Sequence, residues 1–160
     1  MCIRDRFKVQ IANDNSDNQI VLSGKIKDLE ILIKILKENS IKTIKLPVSA
    51  PFHCSLMSNA TIIMREELNK LTFQNSKKKL ISNVTSEPIS HFEELKNLLI
   101  KQIENRVRWR ESVIHMIKNG INHFIEIGPG KVLSGLVKRI NKDVKIDTIN
   151  NQEDIRNLKL

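Results

Sequence analysis

The stretch that decides the fold is His123-Phe-Ile-Glu-Ile-Gly-Pro-Gly-Lys-Val-Leu-Ser-Gly-Leu-Val-Lys-Arg-Ile140. Its first five residues predict a short strand, Gly128-Pro-Gly130 predicts a tight turn, and the apolar spacing from Lys131 onward predicts a helix. Lys145-Ile146 then predicts a further strand. Short apolar strands that alternate with helices favour a parallel sheet covered by helices, so the sequence predicts an α/β fold.

A small α+β unit is predicted upstream of this stretch. Two short strands, 8–12 and 19–23, flank the Asn- and Asp-rich segment 13–18, which indicates a hairpin. Helical apolar spacing over 25–38 and an alternating segment at 42–46 add a helix and a third strand.

Pro47 and Pro51 bracket a stiff connector after this unit. Proline has no N–H group and a fixed φ, so the connector is predicted to be neither helix nor central strand. The apolar pattern of the next part predicts three helices and one strand. The helices span 56–71, 92–103 and 109–118, and the strand spans 80–84.

Composition and charge limit the class of protein. The 160 residues carry 27 Lys and Arg against 18 Asp and Glu, a net charge of +9 that suits an anionic partner. The basic residues are spread along the chain and no tyrosine interleaves them, which argues against nucleic-acid binding. The short run at 77–79 is interpreted as a solvated loop.

Two cysteines form no disulfide framework, and no apolar stretch approaches the ~20 residues of a membrane span. A reducing cytoplasm is therefore expected.

His53 is a candidate general base on local grounds. It follows the proline-bracketed turn and precedes a predicted helix, so stiff backbone holds its side chain near the surface. A base must be held within hydrogen-bond reach of its target. A helix-start histidine without a role fits the same sequence. His91, His115 and His123 form no metal-ligand pattern and are interpreted as structural.

The glycine turn Gly128-Pro-Gly130 has two interpretations. A glycine-rich turn before a helix can hold phosphate on backbone N–H groups. This one lacks the Gly-Lys-Ser/Thr order of a P-loop and the spacing of a dinucleotide-binding turn. An ordinary tight connection between strand and helix is the preferred interpretation.

Four segments stand out in order along the chain. They are Ala12-Asn-Asp-Asn-Ser16 with Gln19-Ile-Val-Leu-Ser-Gly24, Leu46-Pro-Val-Ser-Ala-Pro-Phe-His-Cys-Ser-Leu-Met57, Gln102 with Val107-Arg-Trp-Arg-Glu-Ser-Val113, and Glu126-Ile-Gly-Pro-Gly-Lys-Val-Leu-Ser-Gly-Leu136. Together they resemble the malonyl-CoA:acyl carrier protein transacylase family, and their order and separations are similar to those of the family from about residue 8 to residue 140.

This resemblance implies transfer of a malonyl group from malonyl-CoA, as substrate, to the phosphopantetheine thiol of acyl carrier protein in fatty acid biosynthesis. His53 matches the base that activates a serine and then the incoming thiol. Gln102 matches the position whose backbone carbonyl orients that ring. Phe52 matches a residue of malonyl-selective relatives, and Asn13 and Asn15 match a segment beside the cleft. No permanently bound cofactor or metal is implied.

Several family features have no counterpart in the sequence. The Gly-His-Ser-x-Gly-Glu segment with the nucleophilic serine, the arginine for the malonyl carboxylate and the oxyanion-hole segments are all absent. All three precede the small subdomain in family order, so we expect this chain to be the C-terminal part of the enzyme and inactive alone. Asp17 also stands where the family has proline, which weakens the rigidity expected of that turn.

The resemblance implies a fold with part of a hydrolase-like parallel sheet and a ferredoxin-like small subdomain. The chain is expected to divide into five parts: 1–7 unassigned, 8–46 the partial ferredoxin-like subdomain, 47–53 the connector with the catalytic histidine, 54–146 the C-terminal part of the large subdomain, and 147–160 a tail. The full-length enzyme is expected to be a cytoplasmic monomer with acyl carrier protein as partner and no nucleic-acid or membrane partner.

Three alternative functions remain open: a polyketide synthase acyltransferase domain, a non-catalytic carrier-protein-binding module and a nucleic-acid-binding protein.

Overall fold

The computed structural model describes residues 8–74, 76–89 and 91–158, so the unassigned residues 1–7 lie outside the described part. Strands β1 (Val9–Ser16) and β2 (Gln19–Gly24) pair antiparallel and confirm the predicted hairpin. The turn is shorter than predicted, because β1 continues through the Asn- and Asp-rich segment with two shifts in register. Such irregularities let polar residues stay within a strand while the buried positions keep facing the core.

Helix α1 (Ile26–Glu38) confirms the helix predicted from the apolar spacing at 25–38. The strand predicted at 42–46 is wrong, because residues 41–48 contain no strand. Ile44 is 74% exposed and Val48 is 60% exposed. A strand needs a neighbour to pair with its backbone N–H and C=O groups, and this segment has none among the described residues. The unit at 8–46 therefore consists of a hairpin and one helix.

The connector at 47–53 is irregular, as predicted from its prolines. A short 3-10 turn, Ser55–Met57, leads into α2 (Ser58–Asn69), which is somewhat shorter than predicted. The strand predicted at 80–84 is wrong, since Ile81 forms only an isolated bridge with Pro88. The Ser82 hydroxyl instead accepts the N–H groups of Val84 and Thr85, which closes a turn.

Helices α3 (Phe92–Lys101) and α4 (Trp109–Lys118) confirm the two later helix predictions, although α3 ends two residues before the predicted Ile103. Gly120 has a φ of 88° just after α4, a conformation that glycine adopts without strain at a helix end.

The C-terminal part is a parallel β–α–β unit. It consists of β3 (His123–Ile127), α5 (Val132–Ile140) and β4 (Lys145–Ile149), with His123 paired to Lys145 and Ile127 to Ile149. This confirms the α/β class. The segment at 147–160, expected to be a tail, contains the end of β4 and a short helix, α6 (Gln152–Asn157).

The core between α4 and this unit is formed by valines on α4, on α5 and directly before β4. Val113, Val137 and Val144 are buried together, and Trp109 and Phe124 pack against them. Aliphatic residues dominate the cluster, as expected for a chain with few aromatics. None of the helices in the described ranges has the length and apolar character needed to cross a membrane.

The hairpin is attached directly to the segment before α4. Val107 donates its N–H to the Ala12 carbonyl at 2.8 Å, and its own carbonyl accepts from Asp14 at 2.9 Å. These two bonds form a parallel bridge between β1 and Val107. The N-terminal unit and the later helices are therefore joined by backbone pairing as well as by the connector.

Candidate active site

His53 lies in a tightly constrained loop, residues 51–57, which we call the histidine loop. Its φ is 59°, in the left-handed region that few residues other than glycine occupy. Pro51 fixes the backbone two residues earlier, and the buried Cys54 donates its Sγ–H to the Pro51 carbonyl at 3.1 Å. A strained conformation held by its surroundings is common at functional sites, and here it directs the half-buried ring of His53.

The ring of His53 contacts the end of helix α3. Its Nδ1 lies 2.7 Å from the backbone carbonyl oxygen of Gln102, the residue that follows the helix. Carbonyls at a helix C-terminus lack partners within the helix, so this oxygen is free to accept from a side chain. A carbonyl only accepts hydrogen bonds, and therefore Nδ1 carries the proton and Nε2 of the neutral ring keeps its lone pair.

Gln102 is itself held on two sides. Its N–H donates to the Leu98 carbonyl at 2.9 Å within the last turn of α3. Its side-chain oxygen accepts from Nδ2 of Asn83 at 3.3 Å. The Asn83 carbonyl in turn accepts the N–H of Arg108 at 2.9 Å. The polar turn near residue 83 thus connects the acceptor of His53 to the start of α4.

The hairpin side of the site is held by Arg110. The guanidinium donates to Asp14 at 3.3 Å and to Asp17 at 2.8 Å. The hydrogen bond and the charge of Asp14, together with Asp17, raise the pKa of Arg110 above its usual value. Asp17 is therefore an ion-pair partner of Arg110 in this turn.

The three predicted substrate residues lie on two separate elements, the histidine loop and β1. Phe52 immediately precedes His53 and is 48% exposed. Asn13 and Asn15 lie on β1 and are half-buried, and Asn13 takes part in the bridge to Val107. Within the described ranges no hydrogen bond joins the side chain of Asn13 or Asn15 to His53. Their role in binding substrate stays a prediction.

The other histidines make contacts of a structural kind. Nδ1 of His115 lies 3.1 Å from a carboxylate oxygen of Glu87. Nε2 of His123 lies 2.7 Å from Oδ2 of Asp147 on the paired strand, and this hydrogen bond lowers the pKa of Asp147. His91 is exposed at the start of α3. No group of three or more metal-ligating side chains is found in the described part of the chain.

The N-terminus of α5 after the glycine turn is occupied by the protein's own carboxylate. Oε1 of Glu126 accepts the N–H of Leu133 at 3.1 Å and Oε2 accepts that of Ser134 at 2.7 Å. The Ser134 side chain, followed by the N–H groups of Ser134, Leu133 and Val132, lowers the pKa of Glu126. Gly130 donates its N–H to Asn150 at 2.7 Å. These contacts favour the ordinary strand–helix connection over a phosphate site.

The arrangement fixes the tautomer of the half-buried His53 ring, so that Nε2 of the neutral ring can accept a hydrogen bond or a proton. Across residues 8–74, 76–89 and 91–158, no hydroxyl or thiol is hydrogen-bonded to Nε2 of His53, and the neighbouring Cys54 contacts Pro51 instead. A group that transfers a proton to Nε2 has to lie within hydrogen-bond reach of it.

Sequence reasoning missed three residues that support the site: Gln10, Asn83 and Arg110. The side-chain oxygen of Gln10 accepts from both the N–H and the hydroxyl of Ser55, at 2.7 and 2.8 Å. Each of the three contacts residues far away in the sequence. No local pattern could have indicated them, because only the tertiary fold brings the partners together.

Comparison with known proteins gives one consistent result. No family model matches the chain. The chain is 41% identical over 148 residues to a malonyl CoA-acyl carrier protein transacylase of Bacillus subtilis (strain 168), a match that covers 92% of this chain and 47% of the relative. The chain thus spans about half the length of the curated relatives it matches.

Solved structures that are similar to this chain belong to proteins of the same kind as these relatives. An acyl-carrier-protein S-malonyltransferase from Bartonella henselae superposes with a TM-score of 0.88 at 43% identity, covering 93% of this chain and 48% of that one. A malonyl-transacylase in complex with a type II polyketide synthase acyl-carrier protein superposes with a TM-score of 0.89 at 30% identity. That match covers 96% of this chain and 50% of the other.

Proposed function

We propose that the chain forms the histidine-bearing half of a malonyl CoA-acyl carrier protein transacylase, because it matches about half the length of such enzymes. The observation that carries the proposal is the 2.7 Å contact between Nδ1 of His53 and the Gln102 carbonyl, which leaves Nε2 ready to accept a proton. The substrates would be malonyl-CoA and acyl carrier protein, in a cytoplasmic enzyme of fatty acid biosynthesis that needs no bound cofactor and works as a monomer.

The proposed reaction has two matching steps. Nε2 of His53 takes the proton of a serine hydroxyl supplied by the other half of the transacylase. The serine oxygen attacks the thioester carbonyl of malonyl-CoA, the C–S bond breaks, and the leaving thiolate receives the proton from His53. In the second step the ring takes the proton of the carrier-protein thiol, the sulfur attacks the ester, and the proton returns to the departing serine oxygen.

The surroundings of His53 suit this role. The carbonyl groups at the end of α3 carry partial negative charge, which stabilises the positive charge that the ring acquires in each step. Gln102 would fix the ring orientation, and Phe52, 48% exposed beside His53, would line the acyl group. Asn13 and Asn15 would lie on the hairpin side of the cleft. The hydrolase-like sheet would be completed on the parallel pair β3 and β4 by strands of the other half, with the hairpin and α1 forming part of a ferredoxin-like subdomain.

A chimera tests the proposal directly. Residues 8–158 replace the matching half of the Bacillus subtilis relative, and malonyl transfer to acyl carrier protein is measured, with mass spectrometry of the malonyl-enzyme. We expect transfer in the chimera, and a loss of ~10²–10⁴-fold in kcat in its His53→Ala variant. His91→Ala is the matched control and should keep full activity. The 160-residue chain alone should form no malonyl ester.

Two results would refute the assignment. One is a folded chimera that transfers no malonyl group, which would favour a non-catalytic carrier-binding module. The other is near-normal turnover after His53→Ala. A second candidate, an acyltransferase of polyketide synthesis, is favoured by the similarity to the transacylase solved with a polyketide synthase carrier protein. Comparing transfer to fatty-acid and polyketide carrier proteins separates the two.

A further inference from the structure

We propose that Gln10, on strand β1, is a positioning residue for His53. The inference rests on the proposed function, because it concerns how the base is held. Gln10 is exposed and pairs with Ser23 across the hairpin, so its side chain is not needed to build the hairpin itself. Its Oε1 accepts the Ser55 N–H at 2.7 Å and the Ser55 hydroxyl at 2.8 Å.

The 3-10 turn at the end of the histidine loop, Ser55–Met57, lacks a local cap. Cys54 precedes the 3-10 turn with an extended backbone and provides no side-chain cap. Its thiol is instead directed back to the Pro51 carbonyl. The Ser55 N–H is one of the donors left without a partner at a helix start, and such donors require an acceptor. Gln10 supplies that acceptor from a different element of the fold.

This contact determines how firmly His53 is held. The histidine lies between Pro51, which fixes the backbone before it, and Ser55, which Gln10 fixes after it. The left-handed φ of 59° at His53 is unfavourable for a residue with a Cβ and persists only while its neighbours are held. If Ser55 were released, the loop would gain other backbone conformations, and the ring would lose its contact with Gln102 for part of the time.

The chemical consequence concerns one proton. When Nδ1 no longer donates to the Gln102 carbonyl, nothing fixes the tautomer, and a fraction of the rings carries the proton on Nε2. Those molecules cannot act as the base. We therefore expect a lower kcat with little change in KM for malonyl-CoA, since no binding contact is altered.

Substitutions at Gln10 that remove or keep its acceptor oxygen test the contact with Ser55. Gln10→Leu keeps a similar volume and removes the acceptor, whereas Gln10→Glu retains an oxygen that accepts both Ser55 donors. Gln19→Leu is the matched control, because Gln19 is also a glutamine of the hairpin but accepts from Arg139, not from the histidine loop.

Two readouts do not depend on acyl transfer. The first is hydrogen exchange of the Ser55 amide, and the second is the ¹⁵N spectrum of the His53 ring, which reports the tautomer. For Gln10→Leu we expect about tenfold faster exchange of this amide and a smaller Nδ1–H fraction. Gln10→Glu and Gln19→Leu should match the unsubstituted chain. Both readouts and kcat are measured on the chimera.

The outcomes separate the two proposals. Unchanged exchange and an unchanged tautomer in a folded Gln10→Leu protein would overturn the role of Gln10, whether or not the chimera transfers malonyl groups. A chimera without transfer but with the expected tautomer change would refute the proposed function and leave the positioning role supported. Failure of Gln10→Glu to restore the Nδ1–H tautomer would also count against the positioning role.

Discussion

Nδ1 of His53 donates to the backbone carbonyl of Gln102 across 2.7 Å, although the two residues lie 49 positions apart in the sequence. The acceptor is a main-chain oxygen at the end of α3, so it is positioned by the helix and not by a side-chain rotamer. This arrangement replaces the carboxylate that commonly orients a catalytic histidine with a neutral group, which fixes the tautomer without adding a charge.

The first prediction follows from the main-chain nature of this acceptor. Gln102→Ala removes the side chain and its contact with Asn83 but keeps the carbonyl that His53 uses. We expect the Nδ1–H tautomer to persist and kcat in the chimera to fall by less than about tenfold, compared with ~10²–10⁴-fold for His53→Ala. A Gln102→Ala variant as inactive as His53→Ala would show that the side chain is essential.

The second prediction concerns Glu126 at the start of α5. Its carboxylate accepts the N–H groups of Leu133 and Ser134. Glu126→Gln removes the charge and replaces one of the two acceptor oxygens by an amide nitrogen, so it should lower the free energy of unfolding by about 0.5–1 kcal/mol. The pKa of Glu126 is lowered in the folded state. The carboxylate therefore stabilises the fold above the usual glutamate pKa of about 4.3, and this stabilisation is lost as the pH falls through the lowered value.

Urea denaturation at neutral pH and near pH 3 measures this effect. The difference in the free energy of unfolding between the chimera and its Glu126→Gln variant should shrink on acidification. Glu67→Gln is the control, since Glu67 forms an exposed ion pair with Lys70 and should change stability by less than about 1 kcal/mol. A pH-independent difference at Glu126 would argue against the role of its charge.

The third prediction tests the valine core. Val113 is fully buried and contacts Val137 and Val144, so Val113→Ala removes packed methyl groups and leaves a cavity. We expect a loss of about 2 kcal/mol in the free energy of unfolding, measured by urea denaturation of the chimera. Val48→Ala, on the exposed connector, should change it by less than about 0.5 kcal/mol. Equal effects of the two substitutions would mean that the core is not formed in solution.

The fourth prediction concerns the apolar rim of the glycine turn, which consists of Ile127, Val132 and Leu133. Ile127 is 78% exposed and Val132 is 72% exposed. Exposed apolar groups of this kind promote association, so the isolated chain should be poorly soluble and bind a hydrophobic dye. The double variant Ile127→Ser/Val132→Ser should bind less dye than Ile155→Ser, its control on α6. A monodisperse chain with dispersed amide signals, a sharp two-state melt and no dye binding would contradict this.

The sequence predicted those elements whose formation depends on near neighbours in the chain. The helices at 26–38 and 109–118 have apolar residues at helical spacing, and the hairpin surrounds a cluster of turn residues. The strands predicted at 42–46 and 80–84 were wrong, because strand formation depends on residues that are distant in the chain. A strand forms only when another segment pairs with it, and the alternating pattern of residues 42–46 says nothing about whether a partner is present.

The candidate site was only partly predictable. Position in a proline-bracketed loop singled out His53, but its contact with Gln102 was expected from family resemblance and not from spacing. The supporting side chains Gln10, Asn83 and Arg110 were not predicted at all. Each makes hydrogen bonds that join separate elements, and a single sequence contains no local trace of such pairs.

The backbone bridge between β1 and Val107 also determines when this protein can finish folding. Val107 exchanges hydrogen bonds with Ala12 and Asp14, residues that leave the ribosome long before it does. At a synthesis rate of ~5–20 residues per second, the hairpin would wait on the order of 5–20 s for its partner segment. During that interval the nascent hairpin presents an unpaired strand edge, to which a segment of another chain can pair.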